Sequence, residues 1–435
     1  MKSFVATFLL SLAIARGATL VVTNTIADTL ALSQAGDTLL LVGPRTFSER
    51  VIVTKSVRLL GTNSPVLDGG SFGTPLTIAA TNAEVRGLTI RNSGADLTTF
   101  DSAVMILSNN ATVAECRIEN DAFGIYIRGA SNCRLAGNQI IGADQQPPSK
   151  RGNGIHLWKT RGNAIVANHI RAKRDGMYFS FADANLIAHN DVRETRFGIH
   201  YMYSHANRLL SNSLTANAVG ATLMFSRDSL VQGNIVLANR RHGMLFKQLD
   251  RSSVVGNIIS GHNRGLFIQQ ATQNRFEGNT IATNDIGVYM SNCSEQNVFV
   301  GNRFISNTDQ VWQPSDEVAA GRLASNKFFE KNRGNIWSDY TGADRNHDGI
   351  GDTPYHETDV FGYILERHPD ARALALSPAV SLLRKGEELM PLLDSPGVTD
   401  LFPVMNPSRS RGNETHSFAA ESQSLLTSAV TKTRK

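Results

Sequence analysis

Cysteine is scarce in this chain of 435 residues: only Cys116, Cys133 and Cys293 are present. An odd count leaves at least one thiol unpaired within the chain. So few cysteines exclude a disulfide scaffold. No CxxC and no close Cys/His pair occurs, which points away from zinc ligation and toward buried free thiols. Charge is also thin, at 19% of residues, yet 41% are hydrophobic, so the chain has a core to bury and is not a disordered polymer. The formal net charge is only +5, and part of the excess sits at Lys432, Arg434 and Lys435. With no basic run interleaved with aromatics, no nucleic-acid partner is expected.

Long apolar runs are missing too. The stretch from Phe4 to Ala15 follows Lys2 and ends in Ala13, Ala15, Gly17 and Ala18, which is the pattern of a secretory signal peptide over 1–18. No later run reaches the eighteen residues of a membrane span, so an exported, periplasmic, soluble mature chain is expected.

What is abundant is asparagine and glycine, 34 and 36 residues. Both disfavour the interiors of helices and strands, so their number calls for periodic turns. Asn138, Asn168, Asn190, Asn212, Asn234, Asn257, Asn279 and Asn302 recur at spacings of 30, 22, 22, 22, 23, 22 and 23. A glycine ladder (Gly124, Gly154, Gly176, Gly198, Gly220, Gly243, Gly265, Gly287) runs in register with them. So does a second Asn/Ser ladder, from Asn163 through Ser229 to Asn297. Between ladder residues apolar side chains alternate with period two, as in Asn190-x-Val192 and Gly176-Met177-x-Phe179, which marks strands. Three short strands per 22-residue turn make an all-β chain, a right-handed parallel β-helix, over residues 19–340. A leucine-rich repeat fits badly, because no helix fits inside the period. Gly and Asn tolerate the left-handed geometry of coil corners, and stacked Asn side chains can hydrogen-bond along the axis. One insertion, Gly142 to Asn153, stretches the 30-residue step into a surface loop.

The register assigns faces. The second and fourth residues after each ladder glycine point outward. They place His200, Met202 and Met224 on one surface, beside His156, Trp158 and Tyr178, with His205 on the adjoining turn. An exposed patch of His, Met and aromatics suits Cu(I) or a docking partner. A carbohydrate-active or carbohydrate-binding β-helix is the competing reading. It lacks the paired carboxylates that its enzymes need, since no Asp or Glu occupies these two outward positions.

Past the coils, Asp344, Asn346, Asp348 and Asp352 alternate around Gly349 like the start of an EF-hand loop, although Tyr355 stands where the bidentate Glu belongs. Calcium over 341–356, with Asp339 or Glu357 completing the set, is weighed against a simple Asx-turn cap. Residues 357–405 then read as a helical and extended tail. Leu382, Leu383 and Leu389 form one apolar helix face, fit to cap the core or to dock on a membrane partner. The polar, Ser/Thr-rich 406–435 reads as disordered.

Gly-Ile-His-Leu-Trp (154–158), Gly-Ile-His-Tyr-Met-Tyr-Ser-His (198–205), Asn-Ile-Trp-Ser-Asp-Tyr (335–340) and Asp-Gly-Ile-Gly-Asp-Thr-Pro-Tyr (348–355) together resemble the NosD family. These are periplasmic maturation proteins of nitrous oxide reductase, and the likeness spans about residues 20–405. The resemblance implies a non-enzymatic assembly factor for a copper–sulfur centre. Its implied partners are an ABC-type ATPase, a membrane permease reached by the C-terminal tail, a copper-chaperone lipoprotein and the apo-reductase. It makes His200, Met202, Met224, His205 and His156 candidates for transient copper handover. No nucleotide-binding motif occurs here, so ATP hydrolysis is expected on another subunit.

Overall fold

The computed structural model describes residues 17–142, 146–291, 293–313, 325–357, 364, 368–374, 377–389 and 398–405. Residues 1–16 of the expected 1–18 signal peptide and the tail from 406 lie outside the described residues, as does part of the 357–405 segment.

Three parallel sheets wind around one axis. A 13-stranded sheet runs from Thr19–Val21 to Val298–Val300 and a second from Thr46–Ser48 to Ile336–Trp337. A 12-stranded sheet runs from Val51–Val53 to Asp309–Trp312. Strands of one sheet are a full coil apart in sequence, and each coil pairs with the next in unbroken register, as in Ile170↔Val192 and Val192↔Leu214. This is the right-handed β-helix that the ladders predicted. A short helix, Ile26–Leu32, was not anticipated. Thr25 caps it, accepting from the Asp28 N–H at 3.0 Å, and Ile26 and Leu30 are buried against the first coils.

The ladder asparagines turn out to be cross-braces, not corner residues. Asn212 is typical: its Nδ2 donates to Asn234 Oδ1 at 3.0 Å and to the Ile187 carbonyl at 3.0 Å, and its backbone N–H donates to the same Oδ1 at 2.9 Å. The left-handed φ falls one residue earlier, at Ala167, His189, Ser211 and Gly233. The glycine ladder has a third cause. A Cβ on Gly176 would stand 2.6 Å from the Gly198 carbonyl oxygen, so close coil-to-coil approach, not positive φ, demands glycine there.

A further ladder, missed in the sequence, occupies the slot five residues on: Thr195, Asn217, Asn239, His262, Asn284 and Asn307. Lys173 holds the same slot beside the insertion. Its ammonium reaches back to Asp121, 2.5 Å from Oδ2, and both side chains are buried. Cys116 and Cys133 are buried free thiols, whereas Cys293 is exposed.

The C-terminal end is closed by protein. Asp400 is fully buried. Its Oδ2 accepts the Asn335 N–H at 2.7 Å, where the Asn ladder ends, and the Trp337 indole N–H at 2.9 Å. Residues 399–400 pair antiparallel with Tyr355–His356, and Trp337 stacks on Tyr355 at 4.1 Å. The 398–405 piece of the predicted docking tail therefore seals the core. In the helix Pro378–Leu389, Leu382 and Leu383 are exposed and Val380 is buried; the Leu389 side chain lies outside the described residues.

The structure gives the calcium reading no support. Asp344 accepts the Asp348 and Gly349 N–H groups, Asp348 that of Ile350, and Asp352 that of Arg345. Asn346 also turns its oxygen to the Asp348 N–H, so these side chains cap a turn. Asp339 and Glu357 accept from the Tyr355 hydroxyl instead. Among the described residues no three His, Cys, Asp or Glu side chains converge on one point.

Candidate functional site

The outward rows of the 12-stranded sheet carry the predicted residues. His200 pairs with Tyr178 on one side and Thr222 on the other, and Met202 pairs with Ser180 and Met224. Two adjacent strands thus bring His200, Met202 and Met224 onto neighbouring grid points. Such backbone sites stand ~4.8 Å apart across coils and about 6.5–7 Å apart along a strand.

The row is less exposed than predicted. His200 is 8% exposed and Thr222 is fully buried, although both point away from the core. Large neighbours in the same rows cover each other. His156 stacks on Tyr126 at 4.5 Å, and Tyr178 meets His156 edge-on at 5.0 Å and His200 at 4.9 Å. Met202, Met224, Trp158 and Tyr178 are half-buried. The Tyr178 ring lies between His156 and His200, so those two imidazoles do not share one site. Burial pushes the His156 imidazole down to about 4. His205 sits past the strand end, where its backbone N–H donates to Asp183 at 2.7 Å, and it is not gathered with the other three.

Asp175 is the residue that sequence reasoning passed over. It stands one position before a ladder glycine, its side chain 2% exposed. Arg196 grips it with two bonds of 2.8 Å, and Asp175 Oδ2 lies 3.1 Å from His200 Nδ1. Burial alone would raise this carboxyl, but the bonds from His200 and Arg196 prevail and hold it below the usual carboxylate range. On the other edge of the ring, His200 Nε2 is buried without a hydrogen-bond partner, as is the hydroxyl of its register neighbour Thr222. Buried polar atoms without a partner call for an explanation, and these two lie on strands that also carry Met202 and Met224. Nitrogen and sulfur donors select a soft cation such as Cu(I).

A second feature escaped notice because it lies on corners. Phe181, Tyr203 and Phe225 occupy left-handed φ near 51°, a region that bulky side chains avoid. Their rings stack at 5.3 and 4.8 Å, nearly parallel, and Phe181 is 52% exposed. Tyr203 and Phe225 follow Met202 and Met224 in the chain, so the donor cluster borders an exposed aromatic strip. Trp158 lies at its edge beneath the Lys159 ammonium, 4.6 Å from the ring.

With this geometry in view, the relatives are informative. A curated protein of Stutzerimonas stutzeri named "Probable ABC transporter binding protein NosD" is 34% identical over 78% of this chain and 80% of its own length. A Pseudomonas aeruginosa protein of the same name is 31% identical over 87% and 90%. This chain belongs to the NosD family. The family described as "Periplasmic copper-binding protein (NosD)" matches residues 141–342, which contain the whole His/Met cluster. Among solved structures, the A-module of an Azotobacter vinelandii mannuronan C-5 epimerase superposes with a TM-score of 0.55 at 15% identity. The match covers 70% of this chain and 91% of the module, and it shows the shared β-helix alone. No described helix is long and apolar enough to cross a membrane.

Proposed function

We propose that this NosD-family chain is a periplasmic, non-enzymatic accessory factor that holds Cu(I) transiently at His200, Met202 and Met224 and passes it on. The observation that carries the reading is the buried, unpartnered Nε2 of His200, two positions along its strand from Met202, which pairs in register with Met224. Thioether and neutral imidazole bind Cu(I) without adding charge, which suits cargo that must leave again. The recipient in this reading is the apo nitrous oxide reductase, whose copper–sulfur centre is being built, and the donor is a copper-chaperone lipoprotein. The names of the relatives support work beside an ABC transporter, with its ATPase and permease on other subunits. The aromatic strip along Phe181, Tyr203 and Phe225, with Trp158 and Tyr178, is the docking face. Leu382 and Leu383, exposed on the C-terminal helix, are offered to the permease.

Met202→Ile combined with Met224→Ile tests the ligand set. Both side chains point outward, so the fold should persist while Cu(I) affinity, read by competition with a chromophoric chelator, falls at least tenfold. Unchanged affinity removes the assignment. Gene deletion tests the wider role, with an apo or copper-poor reductase expected. Against the carbohydrate-enzyme reading, Asp175 is already bound by Arg196 and His200, while the carbohydrate-binding version keeps the exposed aromatic strip.

A further inference from the structure

We propose that Asp175 and Arg196 form a positioning pair that locks His200 as its Nδ1–H tautomer and leaves Nε2 free as the donor atom. This rests on the copper reading above and deepens it. Arg196 Nε reaches Asp175 Oδ1 at 2.8 Å, and its Nη2 reaches Oδ2 at 2.8 Å. A guanidinium only donates, so the carboxylate it grips bidentately is an acceptor. The hydrogen in the 3.1 Å contact between Asp175 Oδ2 and His200 Nδ1 therefore belongs to the histidine. In the neutral ring Nε2 is left with its lone pair, whereas an Nε2–H would be a buried donor with no acceptor.

The ring is held against turning. Phe197 meets it at 4.8 Å and Tyr178 at 4.9 Å, both edge-on, and the Arg196 guanidinium lies over Phe197 at 4.5 Å. Asp175 sits on one coil, and Arg196 and His200 on the next, so the sheet register itself sets the contact. Arg196 has a second effect: it occupies both Asp175 oxygens, so the carboxylate orients the ligand without competing for a soft cation. Carboxylate support of a ligating imidazole is worth 10–100-fold in metal affinity elsewhere.

Long-range 1H–15N correlation spectra of the metal-free full chain, labelled at histidine and assigned with His200→Gln, read the tautomer directly. The Nδ1–H form is expected; an Nε2–H form in the unaltered protein overturns the proposal without any further variant. In Asp175→Asn, Arg196 retains the single amide oxygen and turns the amide NH2 toward Nδ1. The tautomer should then flip to Nε2–H, and Cu(I) affinity should drop about 10–100-fold. A tautomer that stays put in Asp175→Asn overturns the positioning role. A flip with unchanged Cu(I) affinity upholds positioning and overturns His200 as a ligand, and with it the reading beneath.

Discussion

At the scale of single residues, the asparagine ladder shows how one side chain serves several backbones. Asn234 Oδ1 accepts from the N–H and Nδ2 of Asn212, while its own Nδ2 satisfies the Leu209 carbonyl at 2.9 Å. Asn234→Leu would strand these buried groups, each costing about 1–3 kcal/mol. A loss of at least 3 kcal/mol in urea unfolding is therefore expected. His262 stands where Asn239 and Asn284 flank it in its ladder. Its Nδ1 accepts the Asn239 N–H, and its Nε2–H donates to the Val236 carbonyl, which requires a neutral ring. Burial pushes its pKa down to about 4. Unfolded, the same ring titrates near 6.5. As the pH falls below 6.5, the unfolded chain takes up a proton that the folded chain refuses. This stabilisation is thus whole above 6.5 and is lost as the pH falls toward 4. At pH 5 the cost is about 2 kcal/mol. His262→Asn, which restores the ladder residue, should remove that part of the difference between urea midpoints at pH 7 and pH 5.

At the scale of elements, the 30-residue step is the weak joint of the coil stack, and Lys173 repairs it. Where its ladder neighbours are Thr195 and Asn217, the lysine spans the longer gap to Asp121, whose carboxylate is otherwise buried. Removing one partner of a buried pair leaves an uncompensated charge. Lys173→Met should cost about 3–5 kcal/mol, and Lys173→Met with Asp121→Asn should recover much of it; equal losses in both would refute the pairing. The site strands teach a related lesson. Their inward and outward alternation was legible in Gly-Ile-His-Tyr-Met, because a period of two is a local property. The burial of His200 was not legible, since it arises from the Tyr178 ring of the neighbouring coil and from the Phe197 ring turned against it on its own strand.

At the scale of the molecule, a solenoid is stabilised by neighbour contacts, so its ends matter most. The Ile26–Leu32 helix covers one end and the 398–405 segment the other. Asp400→Ala should speed amide exchange at Asn335 and Trp337 while leaving the coils around Asn212 protected. Uniform loss of protection would show instead that the rod unfolds as one unit. The stacked aromatic corner is costly backbone geometry set on this rigid rod. Phe181→Asn or Tyr203→Asn, relieving left-handed strain of about 1–3 kcal/mol against stacking worth about 0.5–1.5, should leave stability equal or higher in urea unfolding. A clear loss would mean that the rings serve the fold rather than a docking surface. The period, the strand alternation and the His/Met row were set by the sequence alone, because each depends on spacing along a repeating chain. Only the tertiary structure decided that Asp175 meets both Arg196 and His200 from the neighbouring coil. It alone decided, too, that the EF-hand-like loop spends its oxygens on its own amides and that the tail closes the core. Those outcomes depend on which groups meet across coils, and no spacing within a single coil encodes them.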